Sequence, residues 1–136
     1  MLKIRKVKSS EEMDRVIALD KIIFRGDDSP DFFNSVWWIV LDGKKIVGYA
    51  CLGVRGQCAY MSRAGLLSQY YGQGVQSRLL AVREAHAKRI GCTVAKSEAV
   101  FWNTASLANM IKSGYKITNA KRGRRPPTFY ELKKAL

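Results

Sequence analysis

The chain has 136 residues, 47% of them apolar and 26% charged, with Lys+Arg 24 against Asp+Glu 11 and a formal net charge of +13. That length supports one domain over residues 1–136 around one core, and the composition excludes an intrinsically disordered chain. The longest apolar run, Val36 to Leu41, falls far short of the roughly 20 residues a membrane-spanning helix needs, and Met1-Leu2-Lys3-Ile4-Arg5 lacks the apolar stretch of a signal peptide, so no membrane partner is expected.

Leu2 to Val7 alternates apolar and polar residues and predicts a strand. Ser9 followed by Glu12 is a capping box, and Met13, Val16, Ile17 and Ile23 continue at helical spacing towards Arg25-Gly26. Asp27 to Asn34, with Pro30, reads as a loop. Val36 to Leu41 is a strand, Asp42-Gly43 a hairpin turn, and Ile46 to Val54 the return strand. Trp37, Trp38 and Phe33 are core candidates, with an acceptor-facing platform as the alternative. After a second turn, Arg55 to Cys58, Ala59 to Leu67 forms another strand. Gln69 to Gly74 is a glycine loop. Val75, Leu79, Val82 and His86 then line one face of a helix that Gly91 closes, which gives the lone histidine a structural reading. Thr93 to Val100 is a strand, Asn103 to Ser113 a short helix closed by Gly114, and Tyr115 to Ile117 and Phe129 to Leu132 two strands around the basic loop Lys121 to Pro127. The order β-α-β-β-β-α-β-α-β-β describes an α/β protein, a mixed sheet with helices packed on its faces.

The charge is uneven. Residues 1–42 carry seven Lys/Arg and eight Asp/Glu, whereas residues 43–136 carry seventeen and three. The later part is a positive field that attracts polyanions: nucleic acid, ribosome, an acidic protein or a phosphorylated cofactor. Cys51, Cys58 and Cys92 are odd in number and form no CxxC pair. Reduced thiols in the cytoplasm are expected, with no zinc or other metal site.

The glycine loop carries the chemistry. A strand, a turn with Gly72 and Gly74, and a helix opening at Val75 set free backbone N–H groups beside the positive end of a helix dipole, a geometry suited to phosphate or pyrophosphate. Glycine lets the phosphate approach the backbone. Gly72-x-Gly74-x-x-Ser77 nearly fits a dinucleotide fingerprint, but that fold needs several parallel βαβ units and only one is present. A nucleotide P-loop needs Gly-Lys-Ser/Thr after four spacers, which is absent. Coenzyme A, with its pyrophosphate, is the third reading.

Gln69-x-x-Gly72-x-Gly74 resembles the Q/R-x-x-G-x-G/A loop of the GNAT superfamily of acetyl-CoA-dependent N-acetyltransferases. Arg78, Leu79 and Leu80 follow as that family's helix continues, and Asn103-x-x-Ser106 with Gly114-Tyr115 is similar to its second half. The resemblance covers nearly the whole chain. It implies the GNAT fold: a mainly antiparallel sheet splayed at the cofactor cleft, with helices on both faces. It implies acetyl transfer from acetyl-CoA to a primary amine of a small molecule or protein. Leu66 and Leu67 would offer backbone groups to the pantetheine arm, Gln69, Tyr70, Tyr71, Gly72, Gln73, Gly74 and Val75 would hold the pyrophosphate, Arg78 would add a charge, and Asn103 and Ser106 would contact the arm. At Tyr71, where the family often has Arg, a phosphate contact is exchanged for an adenine-facing ring.

The chain departs from the family at its catalytic groups. The usual acid, a tyrosine seven residues after the Asn, is Met110, which donates no proton, so Tyr115 or a water is expected in its place. No carboxylate lies on Ala59 to Leu67, which leaves Glu98 as the candidate base, with an ion pair to Lys96 or Arg63 as its alternative role. Arg63, Lys96, Arg122, Arg124 and Arg125 are candidate contacts for an anionic substrate, RNA or DNA included. An open acceptor side suits a macromolecular amine or a homodimer. The alternative function is a non-catalytic basic module that docks on nucleic acid or ribosome.

Overall fold

The capping box is built as its spacing requires. In a computed structural model that describes residues 1–28, 32, 34–100, 103–122 and 128–136 (backbone alone at 121, 122 and 128), Ser9 adopts an extended conformation and its hydroxyl accepts from Glu12 N–H at 3.2 Å. Glu12 reaches back to Lys8 N–H at 2.8 Å and forms a two-pronged pair with Arg5 at 2.9 and 2.6 Å. The Arg5 hydrogen bond, with the Lys8 N–H behind it, holds the Glu12 carboxyl at about 2, below its ordinary 4.5. A depressed carboxyl stabilises the fold above its unfolded value, and that contribution drains away as pH falls through the folded one. Glu12→Gln should therefore melt below the parent at pH 6, and the two melting temperatures should converge between pH 4.5 and 2, as followed by circular dichroism.

The elements are β1 (Leu2–Lys6), α1 (Ser10–Ile23), β2 (Val36–Asp42), β3 (Lys45–Arg55), β4 (Cys58–Leu66), a single 3-10 turn (Ser68–Tyr70), α2 (Val75–Arg89), β5 (Val94–Val100), α3 (Thr104–Lys112), β6 (Lys116–Arg122) and β7 (Thr128–Ala135). They give the expected mixed α/β class, with strand order β1-β2-β3-β4-β5-β7-β6 in one seven-stranded sheet. The β4–β5 pair is parallel, and β1–β2, β2–β3, β5–β7 and β6–β7 are antiparallel. The chain divides into two units, Met1–Gly53 with Arg63–Leu79, and Val54–Ser62 with Leu80–Leu136.

In the first unit, α1 presents Val16 and Leu19 to Trp37, Ile39 and Leu41 of β2 and to Ile46, Tyr49 and Cys51 of β3. Alternation puts Trp37, Ile39 and Leu41 on one face of β2 and Tyr49 and Cys51 on the same face of β3, and the register shift at Val40/Leu41 brings Ile46 onto it opposite Leu41; removing each from water contributes about 1.5–3 kcal/mol. Trp37 belongs to this core, its indole N–H donating to the Phe32 carbonyl at 3.1 Å with the Phe32 ring stacked 5.0 Å away. Trp38 is buried as well, while Phe33 lies outside the described residues.

In the second unit, the β4–β5 ladder joins Cys58–Tyr60 to Val94–Lys96. Beyond it, the Ser97 hydroxyl donates to the Met61 carbonyl at 3.1 Å. The two last strands are longer than expected. β6 runs to Arg122, so Lys121 and Arg122 are strand and not loop, because the β7 register carries through to Arg122–Thr128. β6 stands at a sheet edge and its described residues from Lys116 to Ala120 are all exposed, which is why it lacks the apolar alternation that marks a half-buried strand. His86 is half-buried beside Arg89 at 3.3 Å, and all three cysteines are free thiols.

Candidate functional site

The glycine loop grows out of the end of β4. Leu67 leaves the strand with its N–H donated to the Val47 carbonyl at 2.9 Å and its own carbonyl accepting from Tyr70 N–H at 3.0 Å. Both backbone groups are thus engaged within the first unit, the carbonyl keeping its second lone pair, and Leu66 is buried at the strand end. The Tyr70 hydroxyl donates to Asp42 at 2.6 Å, and this bond is the main reason its proton is held more tightly than usual. The phenol of Tyr70 therefore anchors the loop to the β2–β3 hairpin, while Gln69, Tyr71 and Gln73 stay exposed.

Gly72 and Gly74 have φ of +79° and +76°, the left-handed region that costs other residues about 1–2 kcal/mol. Nothing lies within 4 Å of where a Cβ at either would stand. Glycine is there for backbone shape, and the space beside it is open. The Gly74 carbonyl accepts from Arg78 N–H at 3.1 Å, so Gly74 is the N-cap of α2 and carries no side chain to cap it. Helix geometry leaves the N–H groups of Val75 and Gln76 without intrahelical acceptors, and the first turn holds no acid. Val75, buried, pins the helix start, and Arg78, exposed, bonds the Leu2 carbonyl at 3.4 Å. An open double-glycine turn at a helix N-terminus, with a guanidinium one turn on, fits a pyrophosphate.

Just before the loop lies a cluster that sequence reasoning missed. Asp20 on α1, 3% exposed, accepts from the Tyr49 hydroxyl and pairs with Arg63 at 3.2 Å. Burial, then the hydrogen bond to Asp20, raises the Tyr49 pKa. Arg63 also stacks 4.4 Å from the Phe24 ring centroid. Its guanidinium is held internally, which corrects its expected contact with an anionic substrate. The overlooked signal is Asp20 itself, a carboxylate in step with Met13, Val16 and Ile23 on the apolar stripe.

In the second unit, Asn103 caps α3 with its side-chain oxygen accepting from Ser106 N–H at 3.2 Å, which brings these two predicted residues together. Met110, 6% exposed, faces inward. Tyr115, the expected substitute acid, is 1% exposed and donates to Glu84 at 2.8 Å, and Lys134 pairs with the same Glu84 at 2.9 Å. Burial foremost, and then the bond to Glu84, raises the Tyr115 pKa. It is a buried hub and a poor proton donor, so that expectation is withdrawn. Glu98 is exposed on β5, directly across from Glu131 on β7. Lys96, two residues before it, sits over the Tyr60 ring at 6.0 Å. Arg124 and Arg125, and the side chain of Arg122, lie outside the described residues. Among the described residues no His/Cys/Asp/Glu cluster has metal-ligand geometry, and no helix is long and apolar enough to cross a membrane.

Fold and loop together define a mixed-sheet protein with an open double-glycine turn where a strand passes into a helix. Residues 8–115 match the acetyltransferase (GNAT) family, and the chain belongs to that family. It is an acetyltransferase by class, and acetyl-coenzyme A is the donor that class uses. No curated protein matches the sequence. Among solved structures, it is similar to the ribosomal-protein-S18-alanine N-acetyltransferase of Escherichia coli, at 14% identity with a TM-score of 0.85 over 99% of this chain and 94% of that one. It is also similar to NAA60 of Arabidopsis thaliana in complex with acetyl-CoA, at 13% identity with a TM-score of 0.85 over 100% and 99%. A Bacillus subtilis acetyltransferase in complex with CoA gives 15% identity and a TM-score of 0.82 over 100% and 99%.

Proposed function

We propose that this protein transfers the acetyl group of acetyl-coenzyme A to an amine. The observation that carries the reading is the open turn at Gly72 and Gly74 against the N-terminus of α2. In it, the backbone N–H groups of Gly72, Gln73, Gly74 and Val75 hold the pyrophosphate, Arg78 adds a positive charge, and Tyr71, 62% exposed, offers a ring to the adenine. The backbone of Leu66, and Asn103 and Ser106 at the start of α3, are the groups proposed for the pantetheine arm. Bound acetyl-coenzyme A supplies a thioester whose carbonyl carbon bonds to the amine nitrogen as its bond to sulfur breaks, the amine proton passing to Glu98 and the thiolate taking one from water. Glu98 serves as base, directly or through a water. With Met110 and Tyr115 both buried, the leaving thiolate, of roughly thiol pKa 8.5, departs without a side-chain acid.

Millimolar acetyl-CoA should raise the melting temperature, since a ligand at about a hundred times its Kd adds about 2.7 kcal/mol. No shift would overturn the reading. Glu98→Gln should keep that shift while turnover, followed by thiol release, falls about a hundred- to ten-thousandfold. The alternative, a non-catalytic module for nucleic acid or ribosome, draws on the seventeen Lys/Arg against three Asp/Glu of residues 43–136. It calls for salt-dependent oligonucleotide binding without turnover.

A further inference from the structure

We propose that the acceptor is the free α-amine of an acidic peptide, read by two charge bands on the sheet face of the second unit. The inference rests on the acetyl-transfer reading and adds the substrate class.

The bands follow from register. Lys96 on β5 stands directly across from Lys133 on β7, and Lys133 directly across from Lys116 on β6. On the other side, Lys96 is the ladder partner of Tyr60 on β4, with its ammonium over that ring. Paired residues point to the same face, so Tyr60, Lys96, Lys133 and Lys116 form one row across four strands. Two residues along the strands comes the next row, Glu98 across from Glu131, with Asn119 opposite Glu131 on β6. Glu131 is held by Lys133 at 3.7 Å and by the Thr118 hydroxyl at 3.4 Å.

A face designed only for stability would set Lys across from Glu. Here like stands opposite like in both rows, which is unfavourable between neighbouring strands. Segregated bands are instead complementary to a dipolar ligand. Their separation, two residues along a strand, is about 6.6–6.8 Å. An extended peptide repeats with the same period, so an α-amine at the glutamate row places the side chain of its third residue at the lysine row. An acidic third residue fits there and a basic one is repelled. Polyamines, cationic throughout, are disfavoured. The glutamate row contains Glu98, so the ligand's polarity delivers the amine to the proposed base.

The weakness of the catalytic groups points to the α-amine over a lysine side chain. An α-amine has pKa about 7.7–8.0 and a lysine about 10.4. At pH 7.5, about a third of α-amines are already neutral, against roughly one lysine in a thousand. A site that offers Glu98 and, among the described residues, no side-chain acid suits the amine that needs least deprotonation.

The test uses two peptides with free α-amines, identical except for Glu or Lys at the third position. Both are repeated with blocked α-amines and an internal lysine, and spermidine is included. Acetylation is read by thiol release and mass spectrometry. The acidic free-amine peptide should have at least a tenfold higher kcat/KM than its basic counterpart. Lys96→Glu with Lys133→Glu should reverse that preference, and Lys96→Ala with Lys133→Ala should abolish it, with the acetyl-CoA melting shift retained in both. Equal rates, faster acetylation of spermidine or of internal lysine, or a preference that survives charge reversal would overturn the proposal. So would tight oligonucleotide binding lost in the charge-reversed variant without any peptide preference, which assigns the face to nucleic acid. If no peptide reacts while acetyl-CoA still raises the melting temperature, the acceptor assignment falls alone; if acetyl-CoA gives no shift, the transfer reading falls with it.

Discussion

Asp20→Ala is expected to lower the unfolding free energy by about 3–5 kcal/mol. The carboxylate is 3% exposed, accepts from the Tyr49 hydroxyl and pairs with Arg63. Its removal leaves a phenol without its acceptor and a mostly buried guanidinium without its counter-charge. The two orphaned groups, rather than the lost contact itself, set the size of the loss. Against a typical stability of about 5–15 kcal/mol, this is a large fraction. Urea titration should show the midpoint fall with an unchanged slope. Tyr49→Phe should lose less, about 1.5–3 kcal/mol, the worth of one hydrogen bond to a charged group, since Arg63 still faces Asp20. The two losses should also not add, because both act on one network. An Asp20→Ala loss under about 1 kcal/mol would show that the cluster is solvated and contributes little.

Gly74→Val should nearly abolish the acetyl-CoA melting shift and raise the KM for acetyl-CoA more than tenfold, in a chain that still folds. At φ +76° a side chain strains the backbone, by about 1–2 kcal/mol or more for a β-branched residue. With nothing within 4 Å of the added Cβ, packing is not disturbed. The isopropyl group instead occupies the space a phosphate needs beside the backbone N–H groups of α2. Gly56→Val is the matched comparison: its φ is +58° in the β3–β4 turn and its surroundings are equally open. It should pay the same conformational penalty and leave the response to acetyl-CoA intact. Equal responses in the two variants would remove the double-glycine turn from the cofactor site.

Features written within a few residues were legible from sequence. The Ser9–Glu12 box, the glycines of the loop and the Asn103 start of α3 each depend on neighbours one to five positions away, so local chemistry decides them; the Asp42-Gly43 signal found the hairpin but one residue early, since Asp42 pairs with Lys45 and Gly43-Lys44 make the turn. Features that join distant segments were not. Asp20 and Arg63 are 43 positions apart, and Tyr115 and Glu84 are 31 apart. Nothing near Arg63 reveals that its charge is already satisfied, and nothing near Tyr115 reveals that its hydroxyl points into the core. β6 runs past Ile117 without a sequence signal because an edge strand exposed along its described side chains has no buried face to impose alternation. The charge bands are invisible for the same reason. Lys96, Lys116 and Lys133 look scattered until register aligns them.

The bond between Tyr70 and Asp42 sets the boundary of a transplantable part. The segment from Leu67 to Val75 reads as a self-contained cassette, but its shape relies on an acceptor 28 positions upstream, at the turn of another hairpin. Moved alone into a different scaffold, the segment would bring its glycines and leave its anchor behind. A designer would have to carry the β2–β3 hairpin along with it, or supply a carboxylate from the new host where Asp42 stood.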